Sequence, residues 1–121
     1  GRGRAAVAWS ILEERTSAVT FFLLDTKADN GPIFIQKLIN VDKEETAETL
    51  YTKIYDYMDK ALDQWLPDLK IGHWNPIPQD HSLATWFGKR SPEDGRIDWN
   101  ASAEEINLLI KDIIYIYILF I

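Results

Sequence analysis

TFFLLDTKADNGPIFIQ, residues 20–36, decides the fold: two apolar, β-branched and aromatic runs flank a polar segment carrying Asp25, Asp29 and Gly31. Runs of this kind suit two buried strands, and the segment between them delivers Asp29 to the rim of a sheet. A carboxylate at such a rim, beside a glycine that lets a ligand approach the backbone, stands where α/β proteins keep their chemistry. Asn-Gly is equally a hairpin signal, so spacing alone leaves plain turn chemistry open.

Outward from this stretch, VTFFLL (residues 19–24) reads as a strand covered on both faces, and residues 33–39 as a second strand nearer an edge, interrupted by Gln36 and Lys37. Upstream, AAVAWSIL (residues 5–12) is dense enough in small and apolar residues for a buried helix, with Glu13, Glu14 and Arg15 as its polar exit. Downstream, Leu50, Ile54, Met58, Ala61, Leu62 and Trp65 recur at helical spacing behind Glu44, Glu45 and Glu48. Those acids would sit at the positive end of an amphipathic helix. Pro67 is expected to end its first run, with a further short turn through Leu69 and Ile71 to Gly72.

HWNPIPQDHSLAT (residues 73–85) has two prolines and no period, which predicts an extended surface loop. Trp86 and Phe87 would pin that loop to the body, KRSPEDG would turn the chain, and residues 96–99 (RIDW) alternate like a short strand. Ser102 and Glu105 fit a capping box opening a helix with Ile106, Leu109, Ile110 and Ile113 inward. The last nine residues, IIYIYILFI, are too short for a membrane span of about 20 residues and read as a buried strand or an aggregation-prone end.

The 121 residues fit one domain, and a composition 46% hydrophobic with five Trp, five Tyr and five Phe fills a core. Thirteen basic against nineteen acidic residues give a net charge of −6, which disfavours nonspecific adhesion to nucleic acid or anionic lipid. With no Cys there is no disulfide framework and no thiolate metal site, so a cytoplasmic location is the expectation. The apolar patch after Arg4 breaks at Ser10, too soon for a signal peptide.

Several motifs have plain readings. Gly1-Arg2-Gly3-Arg4-Ala5-Ala6 has the shape of a dinucleotide-binding turn without the strand that should precede it. Arg2 and Arg4 could hold an anionic group beside a helix start, or form a solvated basic end. His73 and His81 share a loop with Asp80 at a spacing unlike a zinc pair, so no metal site is expected. The charges from Lys89 to Arg96 read as a solvated turn, and Asn100-Ala101-Ser102 as an accidental sequon.

Taken together, GRGRAAVAWSIL, AVTFFLLDTKADNGPIFIQ, TAETLYTKIYDYMDKALDQWLPDLKIG, FGKRSPEDGRIDW and SAEEINLLIK resemble the folate-dependent formyltransferase family, which includes methionyl-tRNA formyltransferase and amino-sugar N-formyltransferases. The resemblance implies an α/β fold, a partial Rossmann-like formyltransferase domain of sheet strands with flanking helices. Residues 1–121 would be the C-terminal part of one catalytic domain, lacking its N-terminal half. The family's catalytic Asn and His would lie upstream, and neither His73 nor His81 takes that role.

The resemblance places the family's catalytic Asp at Asp29, through the motif Ala-Asp-x-Gly-Pro-Ile, with Ala28, Asn30 and Gly31 bordering the folate site. The implied formyl donor is 10-formyltetrahydrofolate, without a metal. The acceptor is a primary amine, on a nucleotide-linked amino sugar or, less favoured, on methionyl-tRNA. Negative charge growing on the formyl oxygen calls for the Asn and His donors, while the attacking amine must lose a proton, which Asp29 would help to move. The family's Pro-Tyr-Pro-Gly-Ala-Phe after Lys111 is absent here, so nothing carries over to that end. From a different class, an inactive binding or oligomerisation module remains, pairing through an exposed sheet edge. No membrane partner is implied.

Overall fold

A computed structural model describes residues 2–118, with the side chains of 114–118 left aside. The chain begins with β1 (Arg2–Gly3) and α1 (Ala6–Leu12), then an antiparallel pair, β2 (Ser17–Phe22) and β3 (Ile33–Ile39). The long α2 (Ala47–Lys70) follows, then β4 (Trp86–Phe87), which pairs in parallel with β1, and finally α3 (Ala103–Ile118). This is the mixed α/β arrangement that the sequence predicts.

The three helices pack on one another, and α2 lies against the β2–β3 pair. Ile11, Val19, Ile39, Ala47 and Leu50 form the core, with Val7, Phe21, Ile54, Tyr57 and Met58 packed around it. Leu50 and Ala61 are fully buried, as their helical spacing predicts. Burying a leucine contributes about 1.5–3 kcal/mol, so this stripe fixes which face of α2 meets the sheet. Thr46 caps α2, its hydroxyl accepting the Thr49 N–H at 3.2 Å.

β2 is covered on one face. Ser17 and Val19 are buried towards the helices, while Ala18 on the other face is exposed and Thr20 opens towards a cleft. The expectation of burial on both faces is therefore corrected among the described residues. β2 also ends at Phe22, and Leu24 is 91% exposed. The pair shifts register after Phe21, which opposes Ile35 while Phe22 opposes Ile33, so Phe34 is the extra residue of a bulge. A bulge re-aims side chains: Phe34 stacks on Trp65 of α2 at 5.8 Å, and Ile33 lines the cleft.

α2 runs straight through Pro67 to Lys70, although an interior proline removes a hydrogen bond and crowds the preceding turn. Trp65, held by Phe21 and Phe34, anchors the helix just before the proline, and the chain leaves at Gly72 with φ 76°. Residues 96–99 form no strand: Asp98 accepts the Asn100 N–H at 2.9 Å, a local turn that wins where no partner strand is at hand. The Ser102–Glu105 capping box is present, with Ser102 N–H donating to Glu105 Oε2 at 2.8 Å. Ile110 is 40% exposed instead of inward, while Asp112 on the same helix is buried. Residues 113–118 continue α3, so the strand reading of the tail fails there; 119–121 lie outside the described residues.

Asp112 forms a buried ion pair with Arg90, whose Nη2 also donates to Asp94 O at 2.8 Å and whose guanidinium lies 5.6 Å from the Trp9 ring. The charge run from Lys89 to Arg96 is thus a tether between α1 and α3 as well as a solvated turn. Glu45 is likewise buried, not displayed at the helix end, and pairs with Lys53.

Candidate functional site

The ten residues joining β2 to β3 turn back at the rim of the pair, as the sequence stretch 20–36 predicts, and Asp29 stands at the turn with φ 55°. Aspartate is among the few residues that tolerate this left-handed conformation. The base of the turn is tied by Leu23 N–H to Pro32 O at 2.9 Å, and by Asn30 Nδ2 donating to Asp25 Oδ2 at 2.7 Å. Asp25 also accepts the Thr26 N–H, and these hydrogen bonds hold its carboxyl below the usual aspartate range.

Asp29 lines a cleft of about 420 Å³. Its floor is the open face of the strands, with Thr20, Phe22, Ile33 and Gln36; its far wall is the segment from Pro78 to Asp80, and Arg2 and Gly3 close one end. Asp29 Oδ2 accepts the Gly3 N–H at 3.3 Å, and its other oxygen has no protein partner among the described residues. Gly3 is fixed by close approach: with φ 101°, a Cβ there would lie 2.3 Å from Phe87 O. The parallel pairing of β1 with β4 needs that contact, and it points the Gly3 N–H at the cleft.

Arg2 also lines the cleft. Its Nη2 donates to Gln79 Oε1 at 2.6 Å and lies 3.0 Å from His81 Nδ1, while its guanidinium sits 5.6 Å from the Trp86 ring. Both polar contacts use Nη2, which leaves Nε and Nη1 with donors to offer. Arg4 is exposed and does not line the cleft. Asp80 lines it, and hydrogen bonds from the Ser82 hydroxyl and N–H lower its carboxyl pKa.

Of the residues singled out in the sequence, Asp29 and Arg2 meet at this cleft. Ala28 is exposed outside it, and Asn30 is spent on Asp25. Gly31 is buried behind the turn, where a Cβ would meet Leu23 O at 1.7 Å. Its close approach is therefore to the chain's own backbone. His81 faces Arg2, and the polar partners of Asp29 are Gly3 and Gln79. Among the described residues no group of three His, Cys, Asp or Glu side chains is arranged to hold a metal, and no helix is long and apolar enough to cross a membrane.

Gln79 was not legible as a site residue. Its side chain reaches across the cleft, donating to Asp29 O at 3.2 Å and Gly31 O at 2.5 Å. The one sequence cue is a polar residue beside proline in an otherwise unpatterned loop.

No protein-family model matches the chain. Among solved structures, an N-formyltransferase from Helicobacter canadensis, in complex with folinic acid and dTDP-3-aminofucose, aligns over 96% of this chain and 44% of its own, with TM-score 0.81 and 20% identity. A 4-N formyltransferase from Francisella tularensis aligns over 93% of this chain and 48% of its own, with TM-score 0.81 and 18% identity. HypX from Aquifex aeolicus, in complex with tetrahydrofolic acid, aligns over 92% of this chain and 20% of its own, with TM-score 0.81 and 20% identity. The chain shares their α/β fold and spans less than half the length of each.

Proposed function

We propose that the chain is the second part of a folate-dependent formyltransferase catalytic domain that moves a formyl group from 10-formyltetrahydrofolate to the primary amine of a nucleotide-linked amino sugar. The observation that carries this reading is a carboxylate, Asp29, opening into a cleft at the rim of a sheet whose fold is shared with N-formyltransferases. A cleft of about 420 Å³ is of a size to take one end of a small ligand. Bound there, the folate donor supplies the activated formyl group.

The chain's own residues then have defined tasks. Asp29 is the catalytic carboxylate: it orients an imidazole supplied by the preceding segment, supports that ring electrostatically and helps to move the proton that the attacking amine loses. The Gly3 N–H holds one of its oxygens in place. Ala28, Asn30 and Gly31 shape the folate side of the turn, without a direct contact being required of them. Arg2, with Nε and Nη1 unspent, and exposed Arg4 offer donors to the phosphates of the acceptor, since a guanidinium fork matches a phosphate. Amino-sugar nucleotides rank ahead of methionyl-tRNA as acceptors because the N-formyltransferase from Helicobacter canadensis holds dTDP-3-aminofucose.

The test is formyl transfer by the full-length protein containing this chain, with 10-formyltetrahydrofolate and a panel of amino-sugar nucleotides, products identified by mass. Formylated sugar is the expected product. Transfer to methionyl-tRNA alone would overturn the acceptor, and no transfer to any amine would leave the inactive binding module standing.

A further inference from the structure

A backbone bridge between Ile33 and Ile77, with N–H···O distances of 2.8 and 2.7 Å, joins the base of the Asp29 turn to the start of the opposite wall, and among the described residues Gln79 is the side chain that ties the tip of the turn to that wall. Within the turn, the hydrogen bonds among Asp25, Thr26 and Asn30, and that from Leu23 to Pro32, shape its base. None of them reaches the far wall. Gln79 does: Nε2 donates to the carbonyls of Asp29 and Gly31 at 3.2 and 2.5 Å, and Oε1 accepts from Arg2 at 2.6 Å. The partners are 50, 48 and 77 residues away in sequence.

The amide orientation follows from its surroundings. Reversed, the side-chain oxygen would face two carbonyl oxygens and the NH2 group would face a guanidinium, each a like-with-like pairing. One amide therefore joins three walls of the cleft, and an acid or a truncated side chain cannot do the same. Asp29 at φ 55° takes a left-handed conformation that aspartate tolerates, and the Gln79 amide adds a hydrogen bond to its carbonyl from across the cleft.

We infer that Gln79 is a positioning residue for formyl transfer: it fixes the backbone of Asp29 and Gly31 so that the Asp29 carboxylate meets the Gly3 N–H and the reacting groups in the cleft. The inference rests on the formyl-transfer reading for its kinetic consequence, and on hydrogen bonding alone for its structural one.

The test uses the full-length protein. Gln79→Ala lowers kcat on the order of 100-fold, the cost of displacing a reacting group by about 1 Å, with KM values for donor and acceptor close to wild type. Gln79→Glu, which keeps an acceptor towards Arg2 but turns an oxygen on the two carbonyls, falls as far. In the Asp29→Asn background the same Gln79→Ala change costs almost nothing further, since both losses act through one carboxylate. Amide hydrogen exchange at Gly3, whose N–H donates to Asp29 Oδ2, rises in Gln79→Ala while the melting temperature changes little.

A kcat within about two-fold of wild type for Gln79→Ala, or losses that multiply in full in the double variant, overturns the inference. A wild-type protein without formyl transfer removes the functional reading instead. In that case Gly3 exchange still decides the latch: a rise in Gln79→Ala upholds it, and no change refutes it.

Discussion

Gly31→Ala should damage activity far more than a single methyl group suggests. A Cβ at Gly31 would stand 1.7 Å from Leu23 O and 2.8 Å from Leu23 C, whereas real Cβ contacts stay beyond 3.0 Å. The obstacle is backbone on the adjoining arm of the same turn, so no side chain can swing aside. The turn must open by about 1.3 Å, the difference between the 1.7 Å separation and the 3.0 Å limit. Gly31 O is also the closer acceptor of Gln79, at 2.5 Å. A movement of that size exceeds the range over which an N–H···O bond holds, about 2.7–3.2 Å, and it displaces Asp29 two residues earlier. Overpacking of this kind costs about 1–3 kcal/mol of stability, while misplacing a reacting group by about 1 Å costs on the order of 100-fold in rate. Steady-state kinetics and thermal melts of the full-length protein should therefore show a modest loss of stability with a large loss of kcat. Gly88→Ala is the matched control, because a Cβ there meets nothing within 4 Å. A Gly31→Ala protein with kcat within about two-fold of wild type would refute the geometry.

Other expected outcomes follow from the same contacts. Asp29→Asn keeps the turn, which asparagine also tolerates, but removes the charge, so kcat should collapse with melting nearly unchanged; Asp25→Asn, confined to the base of the turn, should lose less, and equal losses would mean the carboxylate is misassigned. Asp112→Ala leaves the Arg90 guanidinium buried without its partner and should cost about 3–5 kcal/mol in denaturant unfolding, much of it regained in Arg90→Met/Asp112→Leu. Burial pushes the Glu45 carboxyl up, but hydrogen bonds from Lys53, Thr49 and the Asp42 N–H outweigh it and hold its pKa below the ordinary value. Its stabilising contribution is thus present above the unfolded glutamate pKa of about 4.3 and lost as pH falls through the folded one, so the gap in melting temperature between wild type and Glu45→Gln should close in acid. The 121-residue chain by itself should show no formyl transfer and should self-associate in size-exclusion chromatography, because among the described residues β2 pairs with no strand other than β3, the outer edge of β3 is bridged at Ile33 alone, to Ile77, and Leu38 on β3 is 65% exposed.

Features set by neighbours in sequence are legible in the sequence alone. The apolar stripe from Leu50 to Trp65 determined α2, the Ser102–Glu105 pair opened α3, and the two runs around Asp29 determined a strand pair with that carboxylate at its rim, since each depends on a local period or a local cap. Only the tertiary structure decided what partners Arg90, Asp112, Glu45 and Gln79 find, and whether a charge or amide lies in solvent or inside. Asp112 looks like a surface acid until Arg90, 22 residues earlier, is folded against it, and Gln79 looks like loop until the turn 50 residues before it arrives. Proline at 67 shows the same limit from the other side: its local cost is real, yet the helix continues through it beside Trp65, which packs on Phe21 and on Phe34, the extra residue of a bulge in a distant strand. Burial and long-range hydrogen bonding are properties of the whole packed chain, and a sequence pattern carries only the part of them that repeats along one element.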